Sequence, residues 1–256
     1  RPDGRTLIFM DQPPALESLP CPPDATPAER LKAGYNASCR LAAGRVEAFV
    51  AAAGYLRGRG LSAPEIVAAD TGEGLAVLED LGDGLYARLI EAGQAEAPLY
   101  EAAVDALLDL HAEAPPEVLE ADGARWPLLT YDDLALKTGS DLFLEWWPKF
   151  AGLEPFSPDA VAEWDALWAP VRRRGEAGAS GPQGVFAHRD YHAENLLWLP
   201  GRPGVARVGM LDFQDALRAH PAWDLLSLLQ DARRDVPPEL ERAMLQRYLE
   251  ARPDLD

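Results

Sequence analysis

The sequence has few cysteines, few basic residues and no long apolar run. Each of these features argues against a class of protein or partner. Cys21 and Cys39 are the 2 cysteines of the 256-residue chain, and their setting fits no metal-binding spacing. A reducing compartment, the cytoplasm, is therefore the simpler expectation. No apolar run approaches the roughly 18 residues of a membrane span, so we expect no membrane association.

The shortage of basic residues argues against another class of partner. The chain carries 24 Lys and Arg residues against 42 Asp and Glu, for a formal net charge of −18. Nucleic acid requires a basic surface, so we expect no nucleic-acid partner. Acidic charge keeps a protein soluble and could also attract a cationic substrate. The composition fits a soluble enzyme of one or two lobes, and we expect a monomer.

The most informative motif lies in two short stretches of the last third of the chain. Residues 188–195 read His-Arg-Asp-Tyr-His-Ala-Glu-Asn, and residues 211–214 read Leu-Asp-Phe-Gln. This is the layout of a kinase catalytic loop followed by its metal-binding strand. Asp190 can accept the proton of a hydroxyl group, while Asn195 and Asp212 offer the oxygen ligands that Mg²⁺ prefers. The motif predicts phosphoryl transfer from ATP with Mg²⁺.

The stretch between these two segments predicts a β-hairpin. Apolar runs at 196–199 and 205–211 flank a Pro- and Gly-rich turn at 200–204. Such a hairpin would fold Asp212 back beside Asn195, so that both side chains could share one metal ion. The alternative is an ordinary hairpin with a helix cap, because Asp and Asn are common turn residues.

The first third of the chain mixes short strands with an interrupted helix. Apolar patterns predict strands at 6–10, 66–69 and 75–78, with a Pro-rich loop over 12–27. The Ala-rich stretch 28–59 predicts helix, broken near Gly34 and near Gly44. Three strands and a long helix together indicate a small α+β lobe.

The remainder of the chain is predicted to be mostly helical from residue 85 onward. Apolar residues recur at helical spacing in 99–111, 133–150, 158–172 and 237–249, and a Gly/Ala/Ser linker is expected at 175–184. The fold class is therefore α+β, a bilobal kinase-like fold. We expect an N-lobe over 1–80 that binds nucleotide, and a helical C-lobe over 81–256 with the catalytic hairpin and the acceptor site.

The motifs together resemble the aminoglycoside phosphotransferase family of small-molecule kinases. The resemblance rests on residues 188–196 and 211–215, and on Pro-Ala-Trp-Asp-Leu at 221–225. Within the family, residues 10–14, 78–83 and 214–216 are most similar to bacterial kinases of the anomeric hydroxyl of N-acetylmuramate and N-acetylglucosamine. The resemblance implies an ATP-dependent kinase of an amino sugar in cell-wall recycling.

The resemblance also implies how the nucleotide is held. Glu79, Asp80 and Leu81 match the hinge, where main-chain groups would contact the adenine edge; the alternative is a plain acidic loop. A glycine-rich phosphate loop would lie upstream of residues 1–4. Met10 stands where protein kinases carry a phosphate-binding Lys, and the most similar group of the family also lacks that Lys.

The acceptor site is predicted less directly. Residues 143–150 read Phe-Leu-Glu-Trp-Trp-Pro-Lys-Phe, and Glu145 and Trp146 are candidate sugar contacts beside Asp190. Aromatic residues also dominate ordinary cores, which is the alternative for this segment. Four further residues are expected to support the site rather than to react, by bracing the catalytic loop or capping backbone groups: His188, His192, Asp215 and Asp224. The alternatives are a substrate role for Asp215 and a metal or general-base role for His192.

Three functions remain open from the sequence. The first is the amino-sugar 1-kinase. The second is an aminoglycoside- or choline-type kinase, whose cationic substrates would suit the acidic surface. The third is a nucleotide-binding pseudokinase, favoured by the missing Lys and opposed by the intact Asp190, Asn195 and Asp212.

Overall fold

The computed structural model describes residues 6–13 and 19–255. The helices in these ranges are α1 (Pro27–Ala33), α2 (Tyr35–Cys39), α3 (Val46–Gly58), α4 (Tyr86–Glu91), α5 (Glu96–Leu110), α6 (Asp133–Ala151), α7 (Pro158–Ser180), α8 (Ala222–Leu229) and α9 (Pro238–Ala251). The strands are β1 (Leu7–Asp11), β2 (Ile66–Asp70), β3 (Leu75–Glu79), β4 (Val118–Ala121), β5 (Ala124–Pro127), β6 (Val185–Ala187), β7 (Leu196–Trp198), β8 (Val208–Met210) and β9 (Leu217–Ala219). Residues 1–4 and part of the predicted loop at 12–27 lie outside the described residues. A search of the described helices finds none that is both long and apolar enough to cross a membrane.

The three predicted N-terminal strands form one antiparallel sheet in the order β1-β3-β2. Burial alternates along β3, with Ala76 and Leu78 buried, as a half-buried strand requires. Met10 pairs with Ala76 and packs against the same core. This face of the sheet is therefore the apolar one. Met10, which stands where protein kinases carry a Lys, lies on it.

The interrupted helix is confirmed as three separate helices. Gly34 and Gly44 both have positive φ values, 103° and 74°, which glycine adopts without steric cost. Helix α1 begins at a capping box in which Thr26 and Glu29 bond each other's backbone N–H groups. Helix α3 then runs unbroken because its Ala-rich face is buried in the core.

A β-hairpin in the middle of the chain contradicts the prediction of helix from residue 85 onward. Strands β4 and β5 pair through a turn at Asp122 and Gly123, whose φ values are 51° and 80°. Asp-Gly with two positive φ values is the signal of a tight hairpin turn, and this signal is present in the sequence at 122–123. The hairpin packs on α3 so closely that a Cβ on Gly54 would lie 2.0 Å from Cβ of Ala121.

The predicted linker at 175–184 is wrong, because α7 continues to Ser180. The glycines in its last turns allow close packing. A Cβ on Gly178 would lie 2.1 Å from the His220 ring, and one on Gly175 would lie 3.1 Å from Leu136. These glycines are explained by close contact of α7 with neighbouring residues, and not by a break in the helix.

One large apolar core connects α3 and β3 with α5, the β7–β8 hairpin, α8 and α9. Phe213, next to Asp212, stacks on Phe49 of α3 with ring centroids 4.8 Å apart. The backbone N–H of Trp198 donates to Gly84 O (2.7 Å), and that of Met210 donates to Ser62 O (2.7 Å). The catalytic hairpin is thus fixed to both halves of the chain, and the boundary at 80/81 remains a prediction.

Candidate active site

The hairpin predicted from the motif is confirmed. Strands β7 and β8 are antiparallel, with Leu196 opposite Met210. The next pair outward is bonded as well, since the Leu211 N–H donates to Asn195 O at 3.0 Å. Asp212 follows immediately, so the 17-position gap in sequence closes to adjacency in space.

The side chain of Asn195 is oriented by the catalytic loop. Its Nδ2 donates to the main-chain oxygen of Asp190 at 3.0 Å and lies 3.3 Å from Nε2 of His192. These contacts use the amide nitrogen and leave the amide oxygen as an acceptor. Asn195 can therefore offer its oxygen to a cation beside Asp190.

Asp212 lies at the mouth of the same cluster. It is exposed, and its φ of 61° places a non-glycine residue in the left-handed region. Such strain clusters at functional sites and costs about 1–3 kcal/mol. Nε2 of Gln214 donates to Oδ1 of Asp212 at 2.6 Å. The carboxylate is thereby oriented with Oδ2 left for another partner.

Asp224 braces the catalytic loop from below. It is fully buried, and its two oxygens accept hydrogen bonds from the backbone N–H groups of His188 (2.7 Å) and Arg189 (2.9 Å). Trp223 Nε1 donates to Arg189 O at 3.1 Å. Arg189 has a φ of 83°, so the bonds to its N–H and C=O hold a strained residue directly before Asp190.

The two histidines of the motif lie behind the reacting groups. His188 is fully buried; burial lowers its pKa, and the nearby charges of Asp224 and Asp190 oppose that shift. Burial also lowers the pKa of His192, and the charge of Arg233 lowers it further. Both rings are consequently neutral at physiological pH, which suits a supporting role better than charge stabilisation.

Asp215 bonds the N-terminal half of the chain. Its Oδ1 accepts a hydrogen bond from the Ala42 N–H at 2.6 Å. Burial raises the pKa of Asp215 above its ordinary value, although the Ala42 bond and Arg189 oppose the shift. The sequence left a capping role and a substrate role open for Asp215. The bond to the Ala42 N–H is a contact of the capping kind.

The predicted hinge combines an anchored side chain with free main-chain groups. Glu79 Oε1 accepts from Arg202 Nη2 at 2.6 Å, which ties the end of β3 to the turn of the catalytic hairpin. Asp80 Oδ1 accepts from the Gly82 N–H at 2.8 Å. Within the described ranges, the backbone groups of Asp80 and Leu81 form no hydrogen bond with other backbone groups. They therefore remain able to contact a ligand such as an adenine edge.

The candidate sugar contacts lie on the exposed face of α6. Glu145 forms an ion pair with Lys149 at 2.8 Å, and the Lys149 ammonium lies 4.3 Å from the centroid of Trp146. Neither residue contacts the catalytic loop among the interactions of the described residues. Their assignment to the acceptor remains a prediction, and these contacts add no support to it.

A different part of the same segment lines a cleft near the catalytic loop. The cleft encloses about 720 Å³ between α6, α7 and α8, and we call it the aromatic cleft. Phe143 lines it and stacks on Trp164 with centroids 5.0 Å apart. Its inner wall includes Tyr131 and Trp223, which pack edge to face and separate it from Arg189.

Several contacts of the site were not found from the sequence. Arg189 and Trp223 lie inside the quoted motifs, but their roles depend on contacts with distant residues. Arg189 Nη1 donates to the carbonyl of Cys39 in α2 at 3.0 Å, across 150 positions. No local pattern signals such a contact, although positive φ residues at Gly34, Arg40 and Gly44 mark both ends of α2 as constrained.

The residues present fit a magnesium–nucleotide complex. Asn195 and Asp212 would hold the ion with one amide and one carboxylate oxygen. Mg²⁺ characteristically takes one or two carboxylates from a protein and completes its shell with substrate phosphates and water. A search of the described residues finds no cluster of three or more Asp, Glu, His or Cys side chains placed to bind a metal. The donor set at the hairpin matches the phosphate-sharing mode of binding.

A family model described as "Phosphotransferase enzyme family" matches residues 3–256. The chain therefore belongs to this family of phosphotransferase enzymes, as the motifs predicted. Its α+β, bilobal kinase-like fold is confirmed by likeness to solved structures of the same class. An aminoglycoside phosphotransferase of Streptomyces rimosus, in complex with ADP and streptomycin, matches with a TM-score of 0.53 at 19% identity. The match covers 83% of this chain and 78% of that one.

Two curated relatives bear on the substrate. An N-acetylmuramate/N-acetylglucosamine kinase of Caulobacter vibrioides is 67% identical over 252 residues, covering 98% of this chain and 68% of the relative. A protein of the same name from Pseudomonas aeruginosa is 31% identical over 245 residues, covering 95% of this chain and 59% of the relative. The chain thus spans roughly three-fifths to two-thirds of the length of these relatives.

Proposed function

We propose that the protein transfers the γ-phosphoryl group of ATP to the anomeric hydroxyl of an N-acetylated amino sugar, N-acetylmuramate or N-acetylglucosamine. The observation that carries the proposal is the grouping of Asp190, Asn195 and Asp212 at one hairpin. The 67% identity to a relative named for these two sugars supports the choice of acceptor. A reaction of this kind belongs to the recycling of cell-wall sugars in the cytoplasm.

In the proposed mechanism, Asp190 accepts the proton of the sugar hydroxyl as its oxygen bonds to the γ-phosphorus. The bond between that phosphorus and the β,γ-bridging oxygen breaks, and ADP leaves. Asn195 and Asp212 would hold Mg²⁺, which when bound neutralises charge on the phosphates. Asp224 and Trp223 keep Asp190 in position by fixing Arg189. The main chain of Asp80 and Leu81, with Glu79 as their anchor, would hold the adenine.

The proposed phosphoryl transfer does not require a Lys at position 10, where this chain has Met10. Most of the catalysis of phosphoryl transfer is positioning and electrostatic stabilisation, which several groups can share. Glu47 lies on α3, the long helix on which the Glu partner of that Lys would be sought, and it is paired with Arg45 at 2.6 Å. The Lys–Glu pair of protein kinases therefore has no counterpart at Met10 and Glu47.

A panel of acceptors tests the proposal. We expect ADP release with ATP, Mg²⁺ and either N-acetylated sugar, and none with the 1-O-methyl glycoside of that sugar. Kanamycin-type aminoglycosides and choline serve as the competing acceptors in parallel. A clear preference for either competitor would overturn the amino-sugar assignment. Nucleotide binding without turnover of any acceptor would identify a pseudokinase instead.

A further inference from the structure

The short helix α2 lies directly on the catalytic loop. Arg189 Nη1 donates to the Cys39 carbonyl at 3.0 Å, and three residues further along the Ala42 N–H donates to Asp215. These two contacts reach the residues on either side of the reacting cluster, one before Asp190 and one after Asp212. The segment that carries α2 is therefore positioned by the catalytic site itself.

The other side of α2 is anchored to α6. Arg30 is almost fully buried and donates from Nη2 to Ser38 O at 2.8 Å and from Nε to Ala37 O at 3.2 Å. The same guanidinium is paired with Asp132, the N-cap residue of α6, and Arg40 pairs with Asp132 at 2.8 Å. Buried charges held by this many bonds leave α2 little freedom to move.

These anchors determine where the first turn of α2 points. Tyr35 precedes Cys39 by four positions, so both residues lie on one face of the helix. Cys39 is fully buried against the catalytic loop, whereas Tyr35 is 48% exposed. Burial raises the pKa of Tyr35, and Arg189 and Asp190 are among the charged groups that act on it. Because the Cys39 carbonyl bonds Arg189, the residue before Asp190, the half-exposed ring on the same face of α2 lies at the solvent edge of the catalytic loop.

We propose that Tyr35 forms one wall of the acceptor site and packs its ring against the apolar C–H face of the pyranose that presents its hydroxyl to Asp190. This inference rests on the proposed function and adds to it a residue that contacts substrate. A half-exposed aromatic ring held on a rigid element is suited to such packing, since it loses little freedom on binding. The phenol oxygen adds a hydrogen-bonding group at the edge of the ring.

The test is the kinetics of Tyr35→Ala, Tyr35→Leu and Tyr35→Phe with the N-acetylated sugar. For Tyr35→Ala we expect KM for the sugar to rise about tenfold or more, with KM for ATP within twofold of the wild type, as loss of binding energy for one substrate implies. Tyr35→Phe keeps the ring, so its KM for the sugar should rise by less than threefold. Leu249→Ala, which removes a 42% exposed apolar side chain on α9, is the control and should leave both constants unchanged.

The outcomes separate this inference from the function on which it rests. If the wild-type protein does not phosphorylate the sugar, the proposed function fails and this inference fails with it. If the wild type is active and Tyr35→Ala keeps its sugar KM within twofold, the inference alone is overturned. Affinity for MgATP, measured by titration calorimetry, confirms that each variant is folded. Should Tyr35→Ala not fold, Tyr35→Leu decides by the same criterion, because it retains bulk and removes only the flat ring.

Discussion

At the scale of single residues, three side chains with oxygen atoms are proposed to carry out different parts of the reaction, and each has different contacts. Asp190 follows a strained residue, Arg189, that is held by hydrogen bonds with Asp224 and Trp223, whereas Asn195 and Asp212 present oxygens from the two ends of a hairpin. Substitutions should therefore affect rate and metal-dependent binding differently.

Asp190→Asn should lower the single-turnover rate by about 10² to 10⁴-fold, the usual contribution of a general base. Affinity for MgATP should stay near that of the wild type, because Asp190 is not proposed to hold the nucleotide. Stopped reactions analysed for ADP, with calorimetry for affinity, measure both. Asp159→Asn, an exposed residue in the first turn of α7, is the control. A rate within threefold of the wild type would remove Asp190 from the mechanism.

Asp212→Ala should weaken MgATP binding along with the rate, since it removes the proposed carboxylate ligand of the ion. Asn195→Ala should have the same effect more weakly, because an amide oxygen carries no formal charge. Calorimetric titration with ATP, with and without Mg²⁺, distinguishes the metal-dependent part. Unchanged affinity in the presence of Mg²⁺ for Asp212→Ala would refute the metal assignment.

Gln214→Ala should raise the Mg²⁺ concentration needed for half-maximal activity by about tenfold. The reason is that Gln214 orients Oδ1 of Asp212 at 2.6 Å, and loss of such a support typically costs 10–100-fold in metal affinity. Binding of Mn²⁺ measured by electron paramagnetic resonance gives a readout independent of turnover. Gln246→Ala, whose amide instead bonds Glu250 on the surface of α9, should change neither value.

At the scale of elements, the anchoring of α1 and α2 to α6 depends on one carboxylate. Asp132 accepts from Arg30, pairs with Arg40 and caps α6 by accepting the Ala135 N–H at 3.0 Å. Burial alone would raise the pKa of Asp132, but the Arg30 and Ala135 hydrogen bonds and the Arg40 charge hold it below its ordinary value. The residue is consequently ionised wherever the protein is folded near neutral pH.

Asp132→Ala should lower the free energy of unfolding by about 3 kcal/mol or more, since it leaves a buried guanidinium unpaired and removes a helix cap. Urea denaturation measures the change. Asp105→Ala is the matched control, because its pair with Arg247 is about half exposed and should be worth about 0.2–1 kcal/mol. Equal effects of the two substitutions would show that the Asp132 cluster does not stabilise the fold.

The same scale shows which elements a sequence can predict. The catalytic hairpin was predicted because its strands, turn and polar ends are contiguous, and the breaks at Gly34 and Gly44 because positive φ values favour glycine. The end of α7 was missed because Gly175 and Gly178 serve packing against Leu136 and His220, a reason invisible in local sequence. For the same reason, the contact between α2 and the catalytic loop could not be predicted, since it joins Cys39 to Arg189.

At the scale of the whole molecule, three histidines couple folding to pH. Burial lowers the pKa of His188, His192 and His220 below the ordinary value of 6.5. The unfolded chain therefore binds more protons than the folded one as the pH falls below about 6.5. Their contribution to stability is complete above that value and is lost as the pH falls toward the lowered folded values. Asp215, whose pKa is raised by burial, acts in the opposite direction but is a single group.

We therefore expect the urea midpoint of unfolding to be lower at pH 5.5 than at pH 7.5. The difference between the two midpoints should be smaller in His220→Gln. The glutamine removes one titrating group and leaves the other two histidines in place. Unfolding curves at both pH values, at constant ionic strength because of the net charge of −18, provide the measurement. A midpoint that is constant or higher at pH 5.5 would contradict the assignment of these histidines as neutral in the folded state.

The most direct test of the central proposal is the position of the transferred phosphate. The protein is incubated with ATP, Mg²⁺ and N-acetylglucosamine labelled with carbon-13 at C1, and the product is examined by phosphorus and carbon NMR. We expect a single sugar phosphate in which phosphorus couples to the labelled carbon, formed by the wild type and abolished in Asp190→Asn. A phosphate that shows no coupling to C1, and so resides on another hydroxyl, would contradict it.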